Sequence, residues 1–205
     1  MSSERLVIIF IRNVQIGKVK KQLADTVGDE NALNIYIHLL NRVAEVTQEI
    51  KAHKAVFYSE YIEEADEFMV PVFQKYIQQG KEIGERMKNA FIKGFSRGYK
   101  NIVMISSDCY ELTAKTVDDA FNQLTKNDVV IGPSTNAGYY LIGMKQLHKP
   151  FFTDKDWSGN NVLVDTLLDA NKKRLSYALL PTLNKIIAEE DLTPDLKKVL
   201  KPWED

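Results

Sequence analysis

The sequence has little cysteine, little histidine and no excess charge of either sign. Its one cysteine, Cys109, cannot form an internal disulfide, which fits a reducing compartment and leads us to expect a cytoplasmic protein. The three histidines are scattered, and none of them lies at the spacing of zinc ligands. The 27 basic and 28 acidic residues give a formal net charge of −1. That balance gives no reason to propose a nucleic acid or an anionic membrane as a partner.

Long apolar runs are also missing. The first run, residues 6–11, follows Glu4 and Arg5 and is closed by Arg12, so it is too short for an export signal or a membrane span. No longer uncharged apolar stretch occurs elsewhere. The 205 residues are 44% apolar and 27% charged, which predicts a single domain over residues 1–205 with a sizeable core and no membrane partner.

The apolar pattern predicts strands that alternate with helices. Short runs rich in β-branched residues indicate strands at residues 6–11, 55–58, 76–77, 101–106, 128–131, 139–142 and 175–179. Helical periods indicate helices over residues 29–50, 83–98, 113–124, 160–170 and 193–200. The two strands at 128–131 and 139–142 are too close for a crossover helix, so they must pair antiparallel. The pattern predicts an α/β sandwich with a mixed, mostly parallel sheet.

The predicted helix over residues 29–50 carries an apolar stripe. Residues at three- and four-residue steps form it, and we expect all of them to be buried: Leu33, Tyr36, Ile37, Leu40, Val43, Ala44 and Thr47. A single stripe of this kind predicts one face packed on the sheet.

The loop after the first predicted strand is basic and contains a glycine. Ligands in open α/β sheets bind at the carboxyl ends of strands, and this loop carries Arg12, Gly17, Lys18, Lys20 and Lys21. A glycine with clustered lysines before a helix can hold phosphates through backbone N–H groups and ammonium charges. The spacing is neither that of a P-loop nor that of a dinucleotide-binding Rossmann turn. A solvated basic loop explains the local sequence equally well.

A second loop, after residues 101–106, holds Ser107 and Asp108. A carboxylate at this position can bind Mg²⁺ or Mn²⁺, which would hold a diphosphate. Asp108 could instead cap the following turn, as carboxylates often do. The adjacent Cys109 is expected to be a small buried apolar residue, since no histidine lies at nucleophile–base spacing.

A third loop, residues 132–138, contains Gly132, Asn136 and Gly138, with Tyr139 and Tyr140 directly behind it. Glycines let a backbone approach a ligand closely, and the two tyrosines could line a pocket for a sugar or a base. A hairpin with two core aromatic residues is at least as good an interpretation of this composition.

Several motifs, taken together and in order, resemble one bacterial family. They are Gly17-Lys18-Val19-Lys20, Gly84-Glu85-Arg86-Met87, Ser107-Asp108-Cys109, Gly138-Tyr139-Tyr140-Leu141-Ile142-Gly143 and Trp157-Ser158. Over nearly the whole chain, the sequence resembles small GT-A-like proteins named as glycosyltransferases or as transferases associated with radical-SAM and selenoprotein-related genes. The resemblance implies the nucleotide-diphospho-sugar transferase fold, a three-layer α/β/α sandwich.

The resemblance also implies the roles of individual residues. It assigns the metal ion, Mg²⁺ or Mn²⁺, to Asp108. A nucleotide or nucleotide-sugar donor would be bound by Arg12, Gly17, Lys18, Lys20, Lys21 and Ser107. The substrate pocket would be lined by Asn136, Gly138, Tyr139, Tyr140, Trp157 and Ser158. It assigns no catalytic residue.

The sequence departs from the family pattern at the predicted site. Gln22 replaces the usual arginine, Asn136 replaces an aspartate, and Gly159 replaces a threonine. The residues Asn184-Lys185-Ile186-Ile187-Ala188 stand where the family usually has Tyr-Asp-Val-Asp-Thr, so two carboxylates are absent. The prediction is therefore a glycosyltransferase or nucleotidyltransferase with a partly degenerate site. The alternative is a catalytically inactive nucleotide- or protein-binding member of the same fold.

Overall fold

One mixed sheet organises the chain in a computed structural model that describes residues 4–136, 138–157 and 161–200. Its seven strands are β1 (Arg5–Phe10), β2 (His53–Tyr58), β3 (Phe73–Ile77), β4 (Asn101–Ser106), β5 (Val129–Pro133), β6 (Tyr139–Met144) and β7 (Tyr177–Leu179). They lie in the order β3-β2-β1-β4-β6-β5-β7. Strand β6 is antiparallel to both β4 and β5, and every other pair is parallel. The expected mixed, mostly parallel sheet is confirmed.

Helices cover both faces of this sheet. They are α1 (Lys21–Val27), α2 (Asp29–Gln48), α3 (Ile83–Ser96), α4 (Ala114–Leu124), α5 (Val162–Lys172) and α6 (Pro194–Lys197). On one face, α2 and α4 pack on Val7 and Ile9 of β1. On the other face, α3 and α5 belong to the cluster around Leu6 and Ile8. The run over residues 6–11 is apolar without interruption because its strand is buried on both sides.

Helix α2 is buried on two sides, whereas the sequence predicted one stripe. Ile37 was expected in that stripe but is 37% exposed, so its assignment to the core was wrong. A second buried row on α2 includes Ile35 and Leu39, which pack with Leu23 of α1 and Ile186 of the C-terminal segment. The first helix and the C-terminal segment therefore share a small core with α2.

The remaining predicted helices are present with adjusted ends. Thr113 is the N-cap of α4, and its hydroxyl accepts a hydrogen bond of 3.2 Å from the backbone N–H of Thr116. Helix α3 ends before Gly98, whose φ of 89° is left-handed. The last helix is shorter than predicted. None of the helices in the described ranges combines the length and apolarity needed to cross a bilayer.

The Gly-Glu-Arg-Met and Trp-Ser motifs meet at the start of α3. A Cβ atom added to Gly84 would lie 2.6 Å from Nε1 of Trp157 and closer still to the carbonyl oxygen of Phe152. Neither neighbour is the free end of a flexible side chain. Gly84 therefore allows close packing of α3 against Trp157. The glycine of the Gly-Glu-Arg-Met motif thus has a structural role.

Candidate functional site

Four loops meet at the carboxyl edge of the sheet, because β1, β4, β5 and β7 are parallel to one another in direction. They are the loop after β1 (residues 11–20), the loop after β4 (107–113), the turn after β5 (134–138) and the segment after β7 (180–188). Contacts between Lys20, Asp108, Asn136 and residues 185–186 join these loops. Of the predicted site residues, Lys20, Asp108 and Asn136 are brought together at this edge.

Asp108 lies at the centre of this group. The ammonium group of Lys20 forms an ion pair with its Oδ1 atom. The ammonium group of Lys185 lies 3.9 Å from its Oδ2 atom. The side chain of Lys20 is only 7% exposed, whereas that of Asp108 is 32% exposed. Each oxygen of the one carboxylate therefore faces a lysine.

Lys20 reaches Asp108 from an uncommon backbone conformation. Its φ of 49° is left-handed, which is rare for a residue other than glycine. The conformation is supported by contacts at the end of the side chain. Besides the ion pair, Nζ donates a 2.7 Å hydrogen bond to the carbonyl oxygen of Ile186 and lies 5.9 Å from the ring centroid of Tyr36.

The segment that carries Lys185 is fixed to the other loops by its backbone. The N–H of Ile186 donates a 2.8 Å hydrogen bond to the carbonyl oxygen of Asp108. The side-chain amide of Asn136 donates a 3.3 Å hydrogen bond to the carbonyl oxygen of Lys185. Asn136, expected in a substrate pocket, thus contacts the backbone that positions Lys185.

Tyr36 of α2 fixes the start of the basic loop. Its hydroxyl accepts a 2.8 Å hydrogen bond from the N–H of Arg12 and donates one of 3.0 Å to the carbonyl oxygen of the same residue. Burial raises the pKa of Tyr36 above its ordinary value, although hydrogen bonding with Ser107 opposes the shift. The phenol therefore stays protonated and joins Arg12 to the buried Ser107.

The cluster of Arg12, Lys20, Asp108 and Lys185, called the cation cluster below, has an excess of positive charge. Burial alone would raise the pKa of the Asp108 carboxyl, but Lys20, Lys185 and Arg12 together hold it below its ordinary value. Asp108 is thus ionised; its carboxylate is paired with Lys20 and lies 3.9 Å from the ammonium group of Lys185, and the charge of Arg12 also lowers its pKa. Such a surplus attracts an anionic ligand.

A divalent cation does not fit this arrangement well. Mg²⁺ and Mn²⁺ bind oxygen ligands, usually more than one from the protein or the substrate. Both oxygens of Asp108 face ammonium groups. In the parts of the chain that the structure describes, no group of three or more histidine, cysteine, aspartate or glutamate side chains could hold a metal ion. The expected metal role of Asp108 stays a prediction that these contacts disfavour.

The other predicted nucleotide-binding residues lie outside the cation cluster. Gly17 is exposed and adopts a φ of 71°. Lys18 is exposed, and its ammonium group lies 3.9 Å from a carboxylate oxygen of Glu60. Lys21 is exposed at the first position of α1. These residues lie on the outer part of the loop, where a solvated basic surface remains a sufficient explanation.

Tyr140 does not line a pocket, contrary to expectation. Its side chain is 1% exposed and belongs to the core beneath α2 and α4. Its hydroxyl donates a 3.0 Å hydrogen bond to the carbonyl oxygen of Pro181. Residues alternate between the faces of a strand, so Tyr139 points to the opposite face. The core interpretation of Tyr140 is the correct one.

Tyr139 and Trp157 form a separate group on the opposite face of the sheet. Tyr139 is 9% exposed, and its ring meets that of Trp157 edge to face at a centroid distance of 6.4 Å. Beside Trp157 opens a cavity of about 480 Å³, which is also lined by Glu82, Glu85 and Asp154. Gly138 is the last residue of the turn after β5 and directly precedes Tyr139. Ser158 lies outside the described residues.

Sequence reasoning missed two residues that build the site. Lys185 belongs to the segment 184–188, where the sequence differs from the family pattern. That difference was interpreted as a loss of two carboxylates, and the added positive charge of Lys185 was overlooked. Asn13 is 5% exposed and joins the loops after β1 and β2. Its Oδ1 atom accepts a 2.9 Å bond from the N–H of Glu60, and its amide donates one of 2.9 Å to the carbonyl oxygen of Tyr61. Its position directly after Arg12 was the available signal.

Comparison with known proteins gives a family and a fold. The model of a family described as uncharacterized proteins conserved in bacteria, DUF2064, matches residues 42–159, which is more than half of the chain. No curated protein sequence matches. The crystal structure of a provisionally assigned nucleotide-diphospho-sugar transferase from Desulfovibrio desulfuricans G20 is similar, with 29% identity and a TM-score of 0.84. The match covers 91% of this chain and 83% of that one.

More distant structures share the fold alone. A 4-diphosphocytidyl-2C-methyl-D-erythritol synthase is 13% identical, with a TM-score of 0.60 and coverage of 98% of this chain and 100% of that one. A CMP:2-keto-3-deoxy-manno-octonic acid synthetase, solved with CTP bound, is 10% identical, with a TM-score of 0.56 and coverage of 96% and 97%. The fold implied by the sequence motifs, that of nucleotide-diphospho-sugar transferases, is therefore confirmed.

Proposed function

The chain belongs to the DUF2064 family of uncharacterized bacterial proteins, and from that premise we propose that it binds a nucleotide-activated donor at the cation cluster. The donor's phosphates would lie against Lys185 and Arg12, and the protein would transfer a sugar or a nucleotidyl group from the donor. The single observation that carries this proposal is the surplus of positive charge at the carboxyl edge of the sheet.

The place and the charge of the cluster support the proposal together. Ligands of open α/β sheets bind at the carboxyl ends of the strands. The cation cluster joins three loops at that edge, and Asn136 of a fourth loop bonds to the backbone of Lys185. The Desulfovibrio relative is assigned to the transferases of nucleotide-diphospho-sugars. The more distant synthetase of the same fold binds CTP. A phosphate-bearing nucleotide is the class of ligand common to these proteins.

Transfer from such a donor leaves negative charge on the departing phosphate or diphosphate. Cationic side chains that are already in position stabilise this charge without having to reorganise. Lys185 and Arg12 are the accessible cations, whereas Lys20 and Asp108 hold the loops in place.

Thermal unfolding with a panel of nucleoside triphosphates and nucleotide sugars tests this proposal. We expect at least one of them to raise the unfolding temperature, because a ligand at a hundredfold excess over its dissociation constant adds about 2.7 kcal/mol of stability. The increase should be much smaller in Lys185→Ala. The matched control is Lys172→Ala, which removes an exposed lysine of α5. If no compound in the panel stabilises the native chain, the proposal is wrong.

A binding protein without turnover is the second candidate, and one observation favours it. The carboxylate of the cluster is paired with lysines on both oxygens, so it is poorly placed to accept a proton from an acceptor. The two functions differ in the fate of the donor. A donor that stabilises the protein but stays intact, even with diverse hydroxylated acceptors, would identify the binding protein.

A further inference from the structure

We propose that the ammonium groups of Lys20 and Lys185 occupy the carboxylate of Asp108 where a divalent cation would bind, so that Lys185 and Arg12 bind the phosphates of the ligand without Mg²⁺ or Mn²⁺. The inference rests on the proposed function, since it concerns the same ligand. It goes beyond that function because it specifies how the negative charge of the ligand is neutralised.

The carboxylate of Asp108 is already occupied by ammonium groups. A divalent cation at the cluster would need Asp108 as its anchor. Oδ1 of Asp108 already pairs with Lys20, and the ammonium group of Lys185 lies 3.9 Å from Oδ2. A metal ion there would either displace a lysine or face its positive charge at short range, where repulsion between like charges is strong.

Lys185 is held in place and differs in this from a mobile surface lysine. Its side chain is only 19% exposed. The N–H of the preceding Asn184 donates a 2.7 Å hydrogen bond to Oε2 of Glu111. The N–H of the following Ile186 donates one of 2.8 Å to the carbonyl oxygen of Asp108. Backbone bonds on both sides therefore fix the backbone from which this ammonium group reaches Asp108.

Hydrogen bonds further along the chain also hold the segment after Lys185 in place. The carboxylate of Asp191 accepts bonds of 2.8 Å and 2.9 Å from the N–H groups of Ile187 and Ala188. Ile186 itself is 1% exposed and packs in the small core with α1 and α2. The segment is a rigid support, which is the condition for a pre-positioned charge.

The positive charge of the cation cluster is comparable with that of a divalent cation. Two ammonium groups carry the same formal charge as one divalent cation, and Arg12 adds a planar guanidinium that can bind phosphate oxygens in pairs. Hydrogen bonds between charged donors and phosphate are stronger than neutral ones. Lys20 is paired with Asp108, so Lys185 and Arg12 are the cations that remain for a diphosphate. The cluster can thus supply what a metal ion would otherwise supply.

Isothermal titration with inorganic pyrophosphate tests the inference, because pyrophosphate contains the diphosphate group of the proposed donors. We expect the native chain to bind it in EDTA at least as tightly as in excess Mg²⁺, because Mg²⁺ competes with the cation cluster for pyrophosphate. Binding in Mg²⁺ alone would overturn the inference and leave the proposed function intact. An absence of binding in both solutions would overturn the two together.

The variant Lys185→Asp sharpens the test, since it replaces the cation by a carboxylate next to Asp108. In EDTA this variant should bind pyrophosphate at least tenfold more weakly than the native chain. Added Mg²⁺ should restore part of that loss, because two carboxylates and the ligand can then share the ion. Lys185→Met provides the comparison: it should lose affinity in EDTA and gain nothing from Mg²⁺. Equal affinity of the native chain and both variants in EDTA would contradict the inference.

Discussion

Replacing Lys20 with methionine is expected to lower the free energy of unfolding by about 2 to 3 kcal/mol, because the change leaves Asp108 without its closest partner. The native side chain is 7% exposed and also donates a hydrogen bond to the carbonyl oxygen of Ile186. Asp108 is 32% exposed, so water softens the loss relative to a fully buried pair. Urea denaturation at neutral pH measures the difference.

Lys18→Met is the matched control, since Lys18 belongs to the same loop but is largely exposed. It should change the free energy of unfolding by less than about 0.5 kcal/mol. The pKa of Asp108 is lowered in the folded protein, so its contribution is present above the ordinary carboxyl pKa and is lost as the pH falls through the folded value. The difference between Lys20→Met and the native chain should therefore shrink below about pH 4. Equal effects of the two substitutions at neutral pH would show that Lys20 is not part of a buried pair.

Replacing Gly132 with alanine is expected to destabilise the protein by about 3 kcal/mol through overpacking. An added Cβ atom would lie 2.7 Å and 2.8 Å from two ring carbons of Tyr140. That ring is in the core, and the bond from its hydroxyl to Pro181 restricts its movement. The strand cannot shift easily either, because β5 pairs with β6 and β7.

Gly138→Ala is the control for Gly132→Ala, because it makes the same chemical change in the same hairpin. Its added Cβ atom would meet only the hydroxyl oxygen of Ser134, at an ordinary contact distance of 3.5 Å. Chemical denaturation of both variants should therefore show a large loss for Gly132→Ala and a small one for Gly138→Ala. Similar losses of stability for the two variants would mean that packing of the Tyr140 ring does not require a glycine at position 132.

The strands could be predicted because a strand buried on both faces appears in the sequence as a short, continuous apolar run. The run over residues 101–106 predicted the bounds of β4, and the short spacing between β5 and β6 predicted their antiparallel pairing. The second buried row of α2 could not be predicted in the same way. It depends on contact with Ile186, which is distant in sequence, so one helical period cannot reveal it.

The site was predicted in part, for a similar reason. Lys20 and Asp108 each follow a strand, and the rule for carboxyl ends predicts that they meet. Lys185 reaches the same place only through the backbone bonds of the C-terminal segment, which no local pattern encodes. Tyr140 was misplaced because the local sequence does not show that helices cover both faces of β6 and bury this ring in the core. The association with radical-SAM and selenoprotein-related genes stays a prediction.

The cation cluster is proposed to recognise the phosphates of a nucleotide. The most direct measurement is calorimetric titration of the native chain with the nucleoside triphosphate that stabilises it most, and separately with the corresponding nucleoside. We expect the triphosphate to bind at least a hundredfold more tightly and Lys185→Ala to remove most of this difference. Equal affinities for triphosphate and nucleoside, or a difference that survives in Lys185→Ala, would contradict the claim.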